Sequence, residues 1–121
     1  IGRNEHLEID DFRGEQAMIF AVKNKGLVIL SGCAHVGIVN TVKHGQHITG
    51  ISTVHAVMGG FHLLDVSTET IRRTVNDMKL LKPDYVVPTH CTGYEATSAF
   101  YREMPGQFVP SLPGSTFTFS A

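Results

Sequence analysis

Three apolar segments of this 121-residue chain each run into a small-residue break and then a histidine: Leu30-Ser31-Gly32-Cys33-Ala34-His35, Met58-Gly59-Gly60-Phe61-His62 and Val87-Pro88-Thr89-His90. Imidazole is the commonest protein ligand for zinc and also suits iron and nickel. One histidine at a strand end is more often a hydrogen-bonded structural residue than a ligand. Three at the same kind of break point to a shared metal or catalytic duty, so His35, His62 and His90 are the candidate metal ligands. Glycine beside the first two lets the backbone turn sharply and approach a cluster closely. His6, His44, His47 and His55 lack this setting and are read as surface or core residues.

Cys33 and Cys91 each sit beside one of these histidines, and two cysteines do not make a disulfide framework. They allow a rival, a structural site built from Cys33, His35, His90 and Cys91. In an extended strand residues i and i+2 share a face, so Cys33 can act with His35, whereas His90 and Cys91 would point to opposite sides. The spacing also departs from the paired knuckles of structural zinc sites, and neither cysteine lies in a Cys-x-x-Cys redox motif. The imidazole reading is therefore preferred. A further possibility is an anion site, because Gly93-Tyr94-Glu95 opens a helix whose free backbone N–H groups suit a phosphate or carboxylate, although Glu95 in the first turn opposes it. Thr89 and Thr92 read as loop and cap residues able to add hydrogen bonds.

The elements that must position these residues follow from local pattern. Glu15 to Val22 is apolar and rich in strand formers, and Lys23-Asn24-Lys25-Gly26 supplies turn chemistry before Leu27 to Leu30, which predicts a hairpin. From Gly37 onward Ile38, Val39 and Val42 suit one face of a short helix ending near Gly45 to Gly50. Thr53 to Met58 predicts a buried strand stopped by Gly59-Gly60. Ser67 is a helix N-cap, with Glu69 in the first turn and Ile71, Val75 and Met78 at i, i+4 and i+7; Lys82-Pro83 ends that helix. Tyr85-Val86-Val87 predicts a short strand, Glu95 to Met104 a helix, and the alternation of Ser115 to Phe119 a last, half-buried strand. The resulting order, β-β-α-β-α-β-α-β, implies an α/β fold with a mainly parallel sheet, its right-handed crossovers bringing successive strand ends to one edge. Open α/β folds place ligands at that edge.

Composition narrows the function. A hydrophobic content of 42% can build one core, so residues 1–121 are expected to form a single unit. Ten Lys+Arg against eleven Asp+Glu, a net charge of -1, give no general field to draw in nucleic acid or an anionic membrane. The longest apolar runs fall far below the roughly 20 residues of a membrane-spanning helix. No signal peptide is read at Ile1-Gly2-Arg3-Asn4-Glu5-His6, and the cysteine usage favours a cytoplasmic setting. A first residue of Ile rather than Met leads us to expect a missing N-terminal part.

With these residues in view, the chain resembles the metallo-β-lactamase-fold hydrolases, and within them the subgroup of the archaeal pterin ribofuranosyl-aminobenzene phosphate synthases and many bacterial relatives. The stretches that carry the resemblance are Gly14 to Ala17, Leu30 to Thr41, Gly59-Gly60-Phe61-His62-Leu63 and Pro88-Thr89-His90-Cys91-Thr92-Gly93. It implies the C-terminal half of a four-layer αββα sandwich, with a dinuclear metal site in the groove between the half-folds, two zinc ions as a rule and iron or manganese as alternatives. It further implies that His90 is the last histidine ligand of the fold. Cys33 stands where many relatives carry a bridging aspartate, with the ligand position His35 just beyond it. His62, in the Gly-Gly-Phe-His stretch, is then a ligand or a substrate contact.

The chain departs from the family in one large respect, since it contains no His-x-His-x-Asp-His motif. That motif is expected upstream of Ile1. The activity expected is metal-dependent hydrolysis of a small-molecule substrate, phosphorylated molecules included. The alternatives are a catalytically incomplete fragment and a phosphate- or pterin-binding module. A half-sandwich also exposes the apolar face that its other half covers, so the expected partner is the complementary N-terminal half or a second copy of the chain.

Overall fold

The turn predicted at Lys23 to Gly26 joins two antiparallel strands, β1 (Ala17–Val22) and β2 (Gly26–Ser31), with Lys25 N–H donating to Val22 O at 3.0 Å. In the computed structural model, which describes residue 11 and residues 13–121, these are followed by α1 (Ile38–Thr49), β3 (Val54–Gly60), α2 (Thr68–Leu81), β4 (Tyr85–Thr89) and α3 (Tyr94–Glu103). His6 lies outside the described residues. The sheet order is β1-β2-β3-β4, with β2, β3 and β4 parallel, so the fold is α/β with a mixed, mainly parallel sheet and flanking helices.

Each helix forms where its apolar spacing matches the helical period. In α2 the buried residues are Ile71, Val75 and Met78, and Ser67 caps the start by accepting from Thr70 N–H at 3.1 Å. The helix ends with Lys82 in the left-handed region ahead of Pro83. Helix α1 runs through Gly45, because this residue is a contact point: a methyl there would meet Ile29 Cδ1 at 3.0 Å and Ile19 Cδ1 at 3.1 Å. The helices share one buried cluster with Leu27, Ile29, Val54, Val57 and Val86 of the sheet. Fully burying such a side chain contributes roughly 1.5–3 kcal/mol.

Alternation along the hairpin separates two faces. Ile19 pairs with Ile29 on the face beneath α1, so Met18 opposite Leu30 and Phe20 opposite Val28 point the other way. Met18, Phe20 and Leu30 are exposed there.

The expected last strand is not formed. Phe117 and Phe119 are half-buried against Phe20, Val22, Val28, Leu30 and Met58, so the alternation does report one-sided burial, but residues 115–119 join no ladder. The open edge of β4 is taken instead by Gln107 to Val109, with Val86 N–H donating to Gln107 O and Val109 N–H to Val86 O, both at 2.9 Å. His55, under the tail, is a buried residue bonded to Asp84 at 2.6 Å and packed by the rings of Tyr85 and Phe119.

The tightest backbone approach lies at the end of β3, where Gly59 has φ +115° and an added methyl would sit 2.0 Å from Ser31 O. Gly59→Ala is expected to cost about 2–4 kcal/mol, combining backbone strain with displacement of β2. Gly106, with nothing within 4 Å, serves as the control. Its alanine variant should stay within about 0.5 kcal/mol. Denaturant unfolding followed by circular dichroism compares the two, and equal losses would contradict this account of the sheet.

Candidate metal centre at the carboxyl ends of the strands

The loop after β2 is held by an acid from before β1. Continuing the β1–β2 register past Ala17 and Ser31 places Glu15 across from the Cys33 to His35 turn. Its carboxylate accepts from His35 N–H and, at 3.1 Å, from Val36 N–H, and it pairs with His35 Nδ1 at 2.8 Å. Burial pushes the Glu15 carboxyl up, but the two backbone N–H groups and the His35 ring outweigh it and hold the group below the usual glutamate value. A carboxylate on Nδ1 sets the tautomer that ligates through Nε2, an arrangement common behind metal-binding histidines.

The loop after β3 carries His62 at φ 48° and seats its ring edge-on to His35, with centroids 4.4 Å apart. Both flanking residues are anchored. Phe61 packs on Phe100 and donates its N–H to Thr92 Oγ1 at 3.1 Å, while Leu63 and Leu64 N–H both reach Cys91 O at 3.1 Å. Thr92, fully buried, donates its hydroxyl hydrogen bond to Thr89 O at 2.7 Å. The residue read as a cap is thus the joint between the β3 and β4 loops.

After β4 the chain makes a 3₁₀ turn, His90–Thr92, entered with His90 at φ 52°. Because this backbone is not extended, His90 and Cys91 do not face opposite ways, and the premise that disfavoured a cysteine-containing site fails. Cys33 Sγ lies 3.5 Å from His90 Nδ1, and one ligand atom each of Cys33, His90 and Cys91 fall within 4.8 Å of one another. Burial first, then the Cys91 thiol and the Glu15 charge, push the Cys33 thiol up.

The three predicted histidines therefore reach one sheet edge in two groups, His35 with His62 and His90 with the two cysteines. Cys33 and His35, two residues apart, link them. Glu15 was missed from sequence, its signal being its register opposite the His35 loop, and the cysteine-containing site of Cys33, His90 and Cys91 was weighed but set aside by treating the turn as a strand. A tetrahedral ion with bonds of about 2.0–2.3 Å holds its donors roughly 3.3–3.8 Å apart. The Cys33–His90 pair already meets that spacing, and the donor set of thiol and imidazole suits a borderline divalent ion.

Next to the His35–His62 pair, between α1 and α2, lies a cavity of about 430 Å³ lined also by Asn40, Lys43, Arg73 and Asp77. The other anion candidate, the start of α3, already carries Glu95, whose carboxylate accepts from Thr68 Oγ1 at 3.0 Å. Among the described residues no helix is long and apolar enough to cross a membrane.

With this geometry in place, comparison with solved structures is decisive for the fold. A metal-dependent hydrolase of the beta-lactamase superfamily superposes with a TM-score of 0.78 at 34% identity, over 85% of this chain and 40% of that one. The chain carries half of a metallo-β-lactamase fold. Among curated proteins, the 7,8-dihydropterin-6-methyl-4-(beta-D-ribofuranosyl)-aminobenzene-5'-phosphate synthase of Methanocaldococcus jannaschii is 40% identical over 116 residues, 96% of this chain. A second, uncharacterized protein of the same organism is 38% identical over 69 residues, 57% of the chain. No family model matches. This metallo-β-lactamase half spans 39% of the length of the synthase and 25% of the second relative.

The Glu15 clamp on the metallo-β-lactamase half is testable through pH. A carboxyl held below its usual value adds stability that is present above the unfolded-state pKa and is lost as pH falls through the folded-state one. The gap in unfolding free energy between the native protein and Glu15→Gln should therefore be widest at neutral pH and close as pH falls below about 4. Urea unfolding across that range measures it; a gap that stays constant to acid pH would exclude the clamp.

Proposed function

We propose that this chain supplies part of the metal site of a metal-dependent hydrolase, with His35, His62 and His90 as its histidine contributors. The observation that carries the reading is the meeting of all three strand-end loops at one edge, where the His35 and His62 rings touch and His90 lies 3.5 Å from Cys33. Support also comes from the metal-dependent neighbour and from the 40% identity to a synthase acting in pterin chemistry. Zinc is the ion we favour, as two ions in the complete domain, with iron and manganese as the alternatives. When bound, such an ion supplies Lewis-acid polarisation and lowers the pKa of water towards neutrality.

The chain's own groups hold and orient. Glu15 fixes the His35 ring, and the Thr92 and Cys91 carbonyl bonds keep the His62 loop on the His90 turn. Lys43 and Arg73, lining the cavity beside His35 and His62, would seat an anionic group of a small substrate, a phosphate ester included. The exposed face of Met18, Phe20 and Leu30 would pack on a complementary half of the sandwich or on a second copy of the chain, which would bring further ligands.

In the full-length protein, His90→Ala and His35→Ala should each lower metal affinity by about 100-fold or more and abolish hydrolysis. Lys43→Ala and Arg73→Ala should instead raise KM for an anionic substrate several-fold with kcat little changed. Metal analysis and steady-state kinetics read both sets. Undiminished metal content and activity in the two histidine variants would refute the proposal, and stoichiometric loss of all metal from the native protein without effect on phosphate binding would favour a simple binding module.

A further inference from the structure

The sulfur of Cys91 lies against the end of β2, where its thiol reaches Cys33 O at 3.5 Å. It packs over Gly60, where an added methyl would stand 2.9 Å from Cys91 Sγ, 3.2 Å from Cys33 Cα and 2.4 Å from Gly32 O. Residue 60 thus has to lack a side chain for this sulfur to meet the end of β2. The turn that aims it is fixed from behind, since Cys91 O accepts two N–H bonds from Leu63 and Leu64. That turn is entered through a histidine at positive φ, a conformation that persists only where surroundings impose it. Opposite it, Cys33 is carried by the loop that Glu15 clamps at His35 and Val36. Each side of the cluster thus has its own anchor, and the two meet sulfur to imidazole at Cys33 and His90.

We propose that Cys91 is itself a metal ligand, so that Cys33, His90 and Cys91 form a two-thiolate, one-imidazole centre within this chain, selective for a thiophilic divalent cation over magnesium or manganese. The proposal rests on the metal-dependent reading above and adds to it a donor and a metal class. Two thiolates balance the charge of a divalent ion, and thiolate donors favour zinc or cobalt where carboxylate and carbonyl oxygens favour harder ions. Three protein donors of this kind are also the number that a catalytic zinc site uses when its fourth position stays open for water or substrate. His90 is exposed and both cysteines are partly so, which keeps that position reachable from solvent. His35 and His62, with Glu15 behind them, then stand beside the centre as a separate pair.

The probe is cobalt(II) titrated into the full-length protein in place of its native metal. A thiolate-to-cobalt charge-transfer absorption should appear at saturation and fall by about half in Cys91→Ser and in Cys33→Ser, and zinc affinity should drop at least about tenfold in each. Zinc should displace the cobalt, whereas magnesium and manganese at roughly 100-fold excess should not. X-ray absorption at the zinc edge of the unmutated protein loaded with one zinc per chain should count two sulfur neighbours at about 2.3 Å, a readout that needs no variant to fold. If cobalt binds and Cys91→Ser leaves both the absorption and the zinc affinity unchanged, or the edge of the singly loaded protein shows at most one sulfur, Cys91 is not a ligand and only the wider metal reading stands. If the folded full-length protein takes up neither ion, that wider reading falls with it.

Discussion

The close approach of bare backbone at the end of β3 to the end of β2 controls every distance at the site. Gly59 and Gly60 let the strand lie where side chains would collide with Ser31 O and Gly32 O, and Gly60 N–H bonds to Gly32 O at 3.2 Å. Parallel pairing then carries the register across, with Ser31 beside Gly59 and Gly60 beside Thr89. Three loops leave the sheet at the same level as a result. Parallel pairing of β2, β3 and β4 makes that common edge a property of the topology, and the glycines make it narrow enough for side chains from different strands to touch.

Fixing loops in this way means holding residues in conformations they disfavour. Ala34, His62 and His90 all have positive φ, and all three lie in the loops that form the site. Such strain persists when packing and hydrogen bonds over-determine it. The bonds that do so are specific: Glu15 to the His35 and Val36 amides, Thr92 to Phe61 and Thr89, and Cys91 O to the amides after His62. All but the Thr92–Thr89 bond run between segments, so the histidine positions are coupled through the backbone as well as through the ions proposed for them. Beneath them Phe61 against Phe100 ties the β3 loop to the core, which makes the site an extension of the packed interior.

Much of this was legible in the residues. The period of Ile71, Val75 and Met78, the Ser67 cap and the turn before Gly26 marked their elements because each reflects local physics, and the strand-end histidines followed from topology alone. What escaped depended on context. Phe117 and Phe119 alternate like a strand because one side is covered, but they lie by the side chains of β1, β2 and β3 and join no ladder. The helix end expected near Gly45 to Gly50 falls at Thr49 with Gly50 as the cap, while the reason for a glycine at 45, the approach of Ile19 and Ile29, is invisible without the sheet. Cys91 was set aside because the facing rule for strands was applied to a 3₁₀ turn, and Glu15 because its partner is twenty residues away in sequence. The resemblance to metallo-β-lactamase-fold hydrolases added what spacing could not, the expectation of a second half-fold; likeness to 40% of a solved hydrolase agrees with half a domain.

The most direct test is a crystal structure of the full-length protein grown with its native metal, using anomalous scattering at that metal's absorption edge. The account predicts an anomalous peak at the carboxyl edge of the sheet, within bonding distance of His90 and Cys33. An ordered site at that edge with no peak, or a metal bound only elsewhere on the molecule, would contradict it.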